Sequence, residues 1–67
     1  MNRDLNVRLS EKVLLSLSEA AAYTGIGIHK LQRMAKEPGC QFVIYVGSKK
    51  YYKRRKLEEF LESSEAI

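Results

Sequence analysis

Sixty-seven residues make one small domain, marginal in stability yet able to fold alone. Hydrophobic residues form 45% of the chain and charged ones 30%, a globular mixture that excludes a disordered tail, and no run nears the roughly 20 apolar residues of a membrane span. A single cysteine, Cys40, excludes an internal disulfide and a multi-cysteine zinc site, and Met1-Asn2-Arg3-Asp4 lacks an apolar signal core, so a cytoplasmic binding module without metal or cofactor is expected rather than an enzyme.

Residues 1–12 show no period and are expected to be a flexible N-terminal segment. A domain over 13–63 and a short tail over 64–67 should follow. Val13-Leu14-Leu15 reads as a short strand. Ser16-Leu17-Ser18-Glu19 is a capping box, so a helix should start at Leu17. Its apolar face is Leu17, Ala20, Ala21 and Thr24, and Gly25 suits the left-handed position that ends it. Gly27 can cap a second helix over about Ile28 to Lys36. Ile28, Leu31, Met34 and Ala35 fall in one arc of that helix. His29, Lys30, Gln32, Arg33 and Lys36 fill the remainder. Pro38-Gly39 stops it.

Gln41 to Lys53 reads as a hairpin. Gly47-Ser48 fits a two-residue turn with Gly first, the II′ type. That turn pairs Val46 with Lys49, Ile44 with Tyr51 and Val43 with Tyr52. Both alternations contain apolar residues, so the buried face is left open. A third helix is expected from about Arg54 to Ser63, with Leu57, Phe60 and Leu61 as its apolar stripe.

Charge is segregated along the chain. Residues 28–56 hold nine basic side chains and one acid, Glu37, a net +8. Residues 57–67 hold four glutamates and no base. A one-signed field of this kind suits phosphates. Lys53, Arg54, Arg55 and Lys56 stand at a helix start, where the dipole disfavours cations. Tolerating that cost suggests phosphate clamping.

Two short helices joined by a glycine-bearing turn, then a hairpin with a lysine-rich tip, make a winged helix-turn-helix, an α+β fold of three short helices and a two-stranded wing. The second helix is the candidate reader, because Arg, Lys, Gln and His on its open face can meet base edges and phosphates. Gly47, Ser48, Lys49 and Lys50 form a slim charged tip.

Leu15-Ser16-Leu17-Ser18-Glu19-Ala20-Ala21 resembles the opening of the MerR-like helix-turn-helix. Phe42 to Lys49, followed by Arg55-Lys56-Leu57-Glu58-Glu59-Phe60-Leu61, resembles the small excisionases of conjugative transposons and related integrative elements. The resemblance covers about residues 13–61. It implies a DNA-binding and DNA-bending protein that assists a tyrosine recombinase (integrase) in excising a mobile element. It places the groove contacts on His29, Lys30, Gln32, Arg33 and Lys36, and the wing tip on Gly47 to Lys50. Its partners would be double-stranded DNA at recombination-site arms, the recombinase and neighbouring copies of the chain. A full MerR-type regulator continues into a long dimerisation helix, whereas ten residues follow Leu57.

Blander readings stand beside these. His29 has no second ligand at metal spacing, so it is a base or phosphate contact or a plain surface residue. Cys40 is a small packing residue. Tyr45, Tyr51 and Tyr52 are packing aromatics before they are base-stacking ones. Glu58 and Glu59 point about 100° apart and form a solvated face, not a catalytic dyad. A small transcriptional regulator and a protein-binding adaptor remain the alternative functions.

Overall fold

The computed structural model describes residues 8–67. A 3-10 turn, Leu9–Glu11, leads into β1 (Leu14–Leu15) and α1 (Leu17–Thr24). Then come α2 (Ile28–Ala35), β2 (Val43–Val46), β3 (Lys49–Lys53) and α3 (Arg54–Glu62). Of the segment expected to be flexible, residues 1–7 lie outside the described residues. Residues 8–12 differ from that expectation. They form the 3-10 turn, Leu9 packs on the core, and Lys12 Nζ reaches Glu19 Oε2 at 2.7 Å.

The capping box starts α1 as the sequence requires. Ser16 Oγ accepts the Glu19 amide at 3.2 Å, and Glu19 Oε1 accepts the Ser16 amide at 2.9 Å. The Lys12 ammonium, then the Ser16 amide, hold the Glu19 carboxyl below the ordinary carboxylate range. Gly25 ends the helix at φ 80°, with its N–H on Ala21 O. Thr24 Oγ1 donates to Ala20 O and accepts the Ile26 amide, which fixes the turn between the helices.

The hairpin has the expected register, Val46 with Lys49, Ile44 with Tyr51 and Val43 with Tyr52. Gly47 has φ 66°, and no non-glycine described residue has positive φ, as a glycine-first turn demands. Among the described residues the expected strand before α1 joins the two of the wing in one sheet, in the order β1-β3-β2, all antiparallel. Leu14 and Leu15 pair with Lys53 and Tyr52, so the wing is anchored at its base by the residues just before α1.

That pairing also settles which face is buried. Leu15, Val43 and Tyr52 share one face and meet the helices. Leu14, Ile44, Tyr51 and Lys53 share the other. Leu15, Ala20, Leu31, Met34, Phe42, Tyr52 and Leu57 make the core. Tyr52 is 0% exposed, its ring stacks with Phe42 at 6.3 Å, and its hydroxyl donates to Leu31 O at 3.2 Å. Burial pushes its phenol pKa up.

Two residues assigned to apolar stripes are only partly covered. Ile28 is 42% exposed, because α2 docks through Leu31 and Met34 and its first residue overhangs. Phe60 is 37% exposed, with its ring tilted against Phe42 at the rim of the core, 5.2 Å between centroids.

Tyr52→Phe should keep the ring packing and lose the bond to Leu31 O. The expected loss is about 1 kcal/mol, or a melting shift of about 4–8 °C for a domain this size. Thermal unfolding by circular dichroism measures it, and an unchanged midpoint would contradict the role given to the hydroxyl.

Candidate nucleic-acid interface

On α2, burial of Leu31 and Met34 decides where every other side chain points. His29, Arg33 and Lys36 are exposed and project furthest from the core. Lys30 and Gln32 are half-buried on the two flanks. Two basic groups and one imidazole therefore line the crest, with a hydrogen-bonding amide on one side and a lysine on the other. Such a crest can bond to both phosphates and base edges.

Strand alternation distributes the wing residues. Lys50 lies on the face of β3 that carries Tyr52, and its Nζ sits 6.0 Å from the centre of the Tyr52 ring. Because Tyr52 bonds to Leu31 of α2, this is the α2 side of the sheet. Tyr45, paired with Lys50, shares that face and is 66% exposed. Lys49 and Lys53 lie on the opposite face. Lys53, Arg55 and Lys56 there border a shallow groove with Val13, Leu14 and Ile44. The tip itself, Gly47 and Ser48, is exposed. The two tip lysines are thus not equivalent, since they face opposite sides of a thin ribbon.

The four cations at the start of α3 divide in the same way. Arg55 is exposed. Lys56 Nζ lies 3.6 Å from Glu59 Oε1 at the surface. Arg54 is turned inward. Its Nε donates to Lys12 O at 2.8 Å and its Nη1 donates to Glu58 Oε1 at 3.1 Å. The Arg54 amide donates to Val13 O at 3.0 Å. Glu58 also accepts the Tyr23 hydroxyl from α1. That bond, and then Arg54, hold the Glu58 carboxyl below its ordinary range, and the same bond raises the Tyr23 phenol. Arg54 was expected among the phosphate contacts, but its guanidinium braces α3 to the segment before β1. The i,i+4 spacing of Arg54 and Glu58 is the signal that marks it.

Three side chains expected to pack are exposed, Ile28 at the start of α2, Tyr45 on the wing and Phe60 on α3. None carries a charge to betray it. Among the described residues, no group of three or more His, Cys, Asp or Glu is placed to hold a metal ion, and no helix is long and apolar enough to cross a membrane.

Arg54→Ala should cost about 1–3 kcal/mol, since it removes a charge-assisted bond to a backbone carbonyl. Lys50→Ala should stay within about 0.5 kcal/mol, as a surface substitution. Denaturant melts of the two variants separate a brace from a surface cation. Equal losses would contradict the assignment.

Comparison with family models matches the chain to the family described as the excisionase from transposon Tn916, over residues 2–67. Comparisons with curated proteins and with solved structures each give no match.

Proposed function

This chain belongs to the Tn916 excisionase family, and on that premise we propose how it engages DNA. As an excisionase it is a DNA-binding accessory protein of recombination, and its fold is a winged helix. In our reading α2 enters the major groove. His29, Lys30, Gln32, Arg33 and Lys36 carry sequence preference and adjacent phosphate contacts. The wing supplies affinity of a less sequence-dependent kind.

The observation that carries this reading is the placement of Lys49 and Lys50 on opposite faces of one ribbon tip. A cationic face against a single duplex wall would use only one of them. A ribbon inserted edge-on between two sugar-phosphate strands uses both, one for each strand. Gly47 and Ser48 lead with little bulk. Arg55 and Lys53 then stand where the strand beside the outer face continues.

The same geometry supports bending. The minor groove of straight B-DNA is about 6 Å wide, narrower than a two-stranded ribbon with side chains. Insertion must widen it, and widening it curves the duplex. Bending a 20–30 bp site by 40–90° costs on the order of 1–6 kcal/mol, a sum that several copies side by side can offset. The exposed apolar residues support monomers in free solution. Phe60 and Ile67 border one groove, Val13 borders another, and Tyr45 and Val46 point to opposite faces of β2. The bent site would present its arms to a tyrosine recombinase. Glu62, exposed at the end of α3, is the part we assign to that partner.

Duplex titrations at several salt concentrations test the reading. With about five cations on phosphates, log K should fall with log[salt] at a slope near −4 to −5. The double substitution Lys49→Ala with Lys50→Ala should reduce the slope by about 2, on specific and scrambled duplexes alike. A slope near zero would overturn DNA binding. A double variant that loses only sequence discrimination would move the reader from α2 to the wing. Circularly permuted fragments should migrate by bend position, and uniform mobility would refute bending.

A further inference from the structure

Ile28 is the one large apolar residue of α2 that the core does not use. The helix buries Leu31 and Met34 and rests Ala35 against the same cluster. Ile26, two residues before Ile28, also packs there. Ile28 does not, and 42% of it is open to solvent. A single exposed isoleucine on a loop would require no explanation. This one occupies the first position of the helix read here as entering the major groove, and the N-terminal residues of such a helix are those that meet base edges.

Its surroundings suit a close approach. Gly27 precedes it, and a side chain added at Gly27 would meet nothing within 4 Å. The chain leading into the helix is therefore slim and unobstructed. His29, the next residue, is exposed. Gln32, one turn along on the same flank at i+4, is half-buried and held near the helix surface. An amide there can pair with the N6 and N7 edge of adenine. The apolar feature that the major-groove edge of DNA offers a neighbouring isoleucine is the 5-methyl group of thymine.

We propose that Ile28 reads a thymine methyl group, so that the chain's site contains an A·T pair recognised by contact with that methyl and not by hydrogen bonding. The proposal rests on α2 being the reader. It adds a specificity-determining residue that charge patterning cannot reveal, because the contact is apolar on both sides.

The test removes only the methyl group. Sites are enriched with the wild-type chain from a pool of randomised duplexes. Each thymidine of an enriched site is then replaced singly by deoxyuridine, which keeps every hydrogen-bonding group. One such replacement should weaken wild-type binding about four-fold, the worth of one buried methyl-sized group. Ile28→Ala should bind the thymidine and deoxyuridine duplexes equally, near the wild-type level on deoxyuridine. Ile28→Val, which keeps a branched apolar side chain, should retain part of the preference. Melting of both variants near the wild-type temperature is expected, since Ile28 lies outside the core cluster. Equal wild-type binding to every deoxyuridine duplex would overturn the proposal while leaving α2 as reader intact. A full four-fold preference kept by Ile28→Ala would overturn it too, by assigning the methyl to another residue. Failure of the wild-type chain to enrich any sequence would instead strike the reader assignment, and this proposal with it.

Discussion

The hydroxyl of Tyr52 donating to the carbonyl of Leu31 is the contact on which the arrangement of this small domain turns. Tyr52 is in the central strand of the sheet, flanked by Leu15 on one side and Val43 on the other. Its ring packs on Phe42, and its tip touches the backbone of α2. One side chain therefore couples the wing, the strand before α1 and α2. A chain this short has few other means of fixing a hairpin relative to a helix. If that coupling slackened, the position of α2 relative to the wing would no longer be fixed by it.

A second constraint sets which cations are free. The chain places four basic residues at the first turn of α3, where the helix dipole opposes them. One of them, Arg54, is drawn inward by Glu58 and the carbonyl of Lys12, and Tyr23 closes the same knot from α1. The acid that pairs with Arg54 is thus also the one that fastens α1 to α3. Strand alternation does the rest. It sends Lys50 towards α2 and sends Lys49 and Lys53 to the outer face. The +8 block seen as one patch along the sequence is in space two cationic surfaces separated by the thickness of a ribbon.

Much of this was legible because it is written in short-range chemistry. Ser16 and Glu19 cap each other across three residues, and Gly25 and Gly47 stand where the backbone requires positive φ. The register from Val46 and Lys49 follows once the turn length is fixed. What escaped the sequence depends on contacts distant along the chain. The short strand β1 was expected, but its partner was not, because β3 lies nearly 40 positions away. The buried face of the hairpin was undecidable while Tyr51 and Tyr52 looked alike, and Leu31 and Leu15 decide it by packing on Tyr52. Arg54 looked like one more cation in a run until Lys12 O was placed beside it. Ile28 fitted the apolar arc by angle, yet it lies too near the helix end to be covered.

The central claim is that α2 and the wing tip form one DNA-binding surface. Amide chemical shifts of the 15N-labelled chain, followed as a duplex containing its enriched site is added, test this most directly. The account predicts perturbations concentrated over residues 28–36 and 47–51, with Glu62 at the end of α3 unmoved. Perturbations confined to α3, or to the wing with α2 silent, would contradict it.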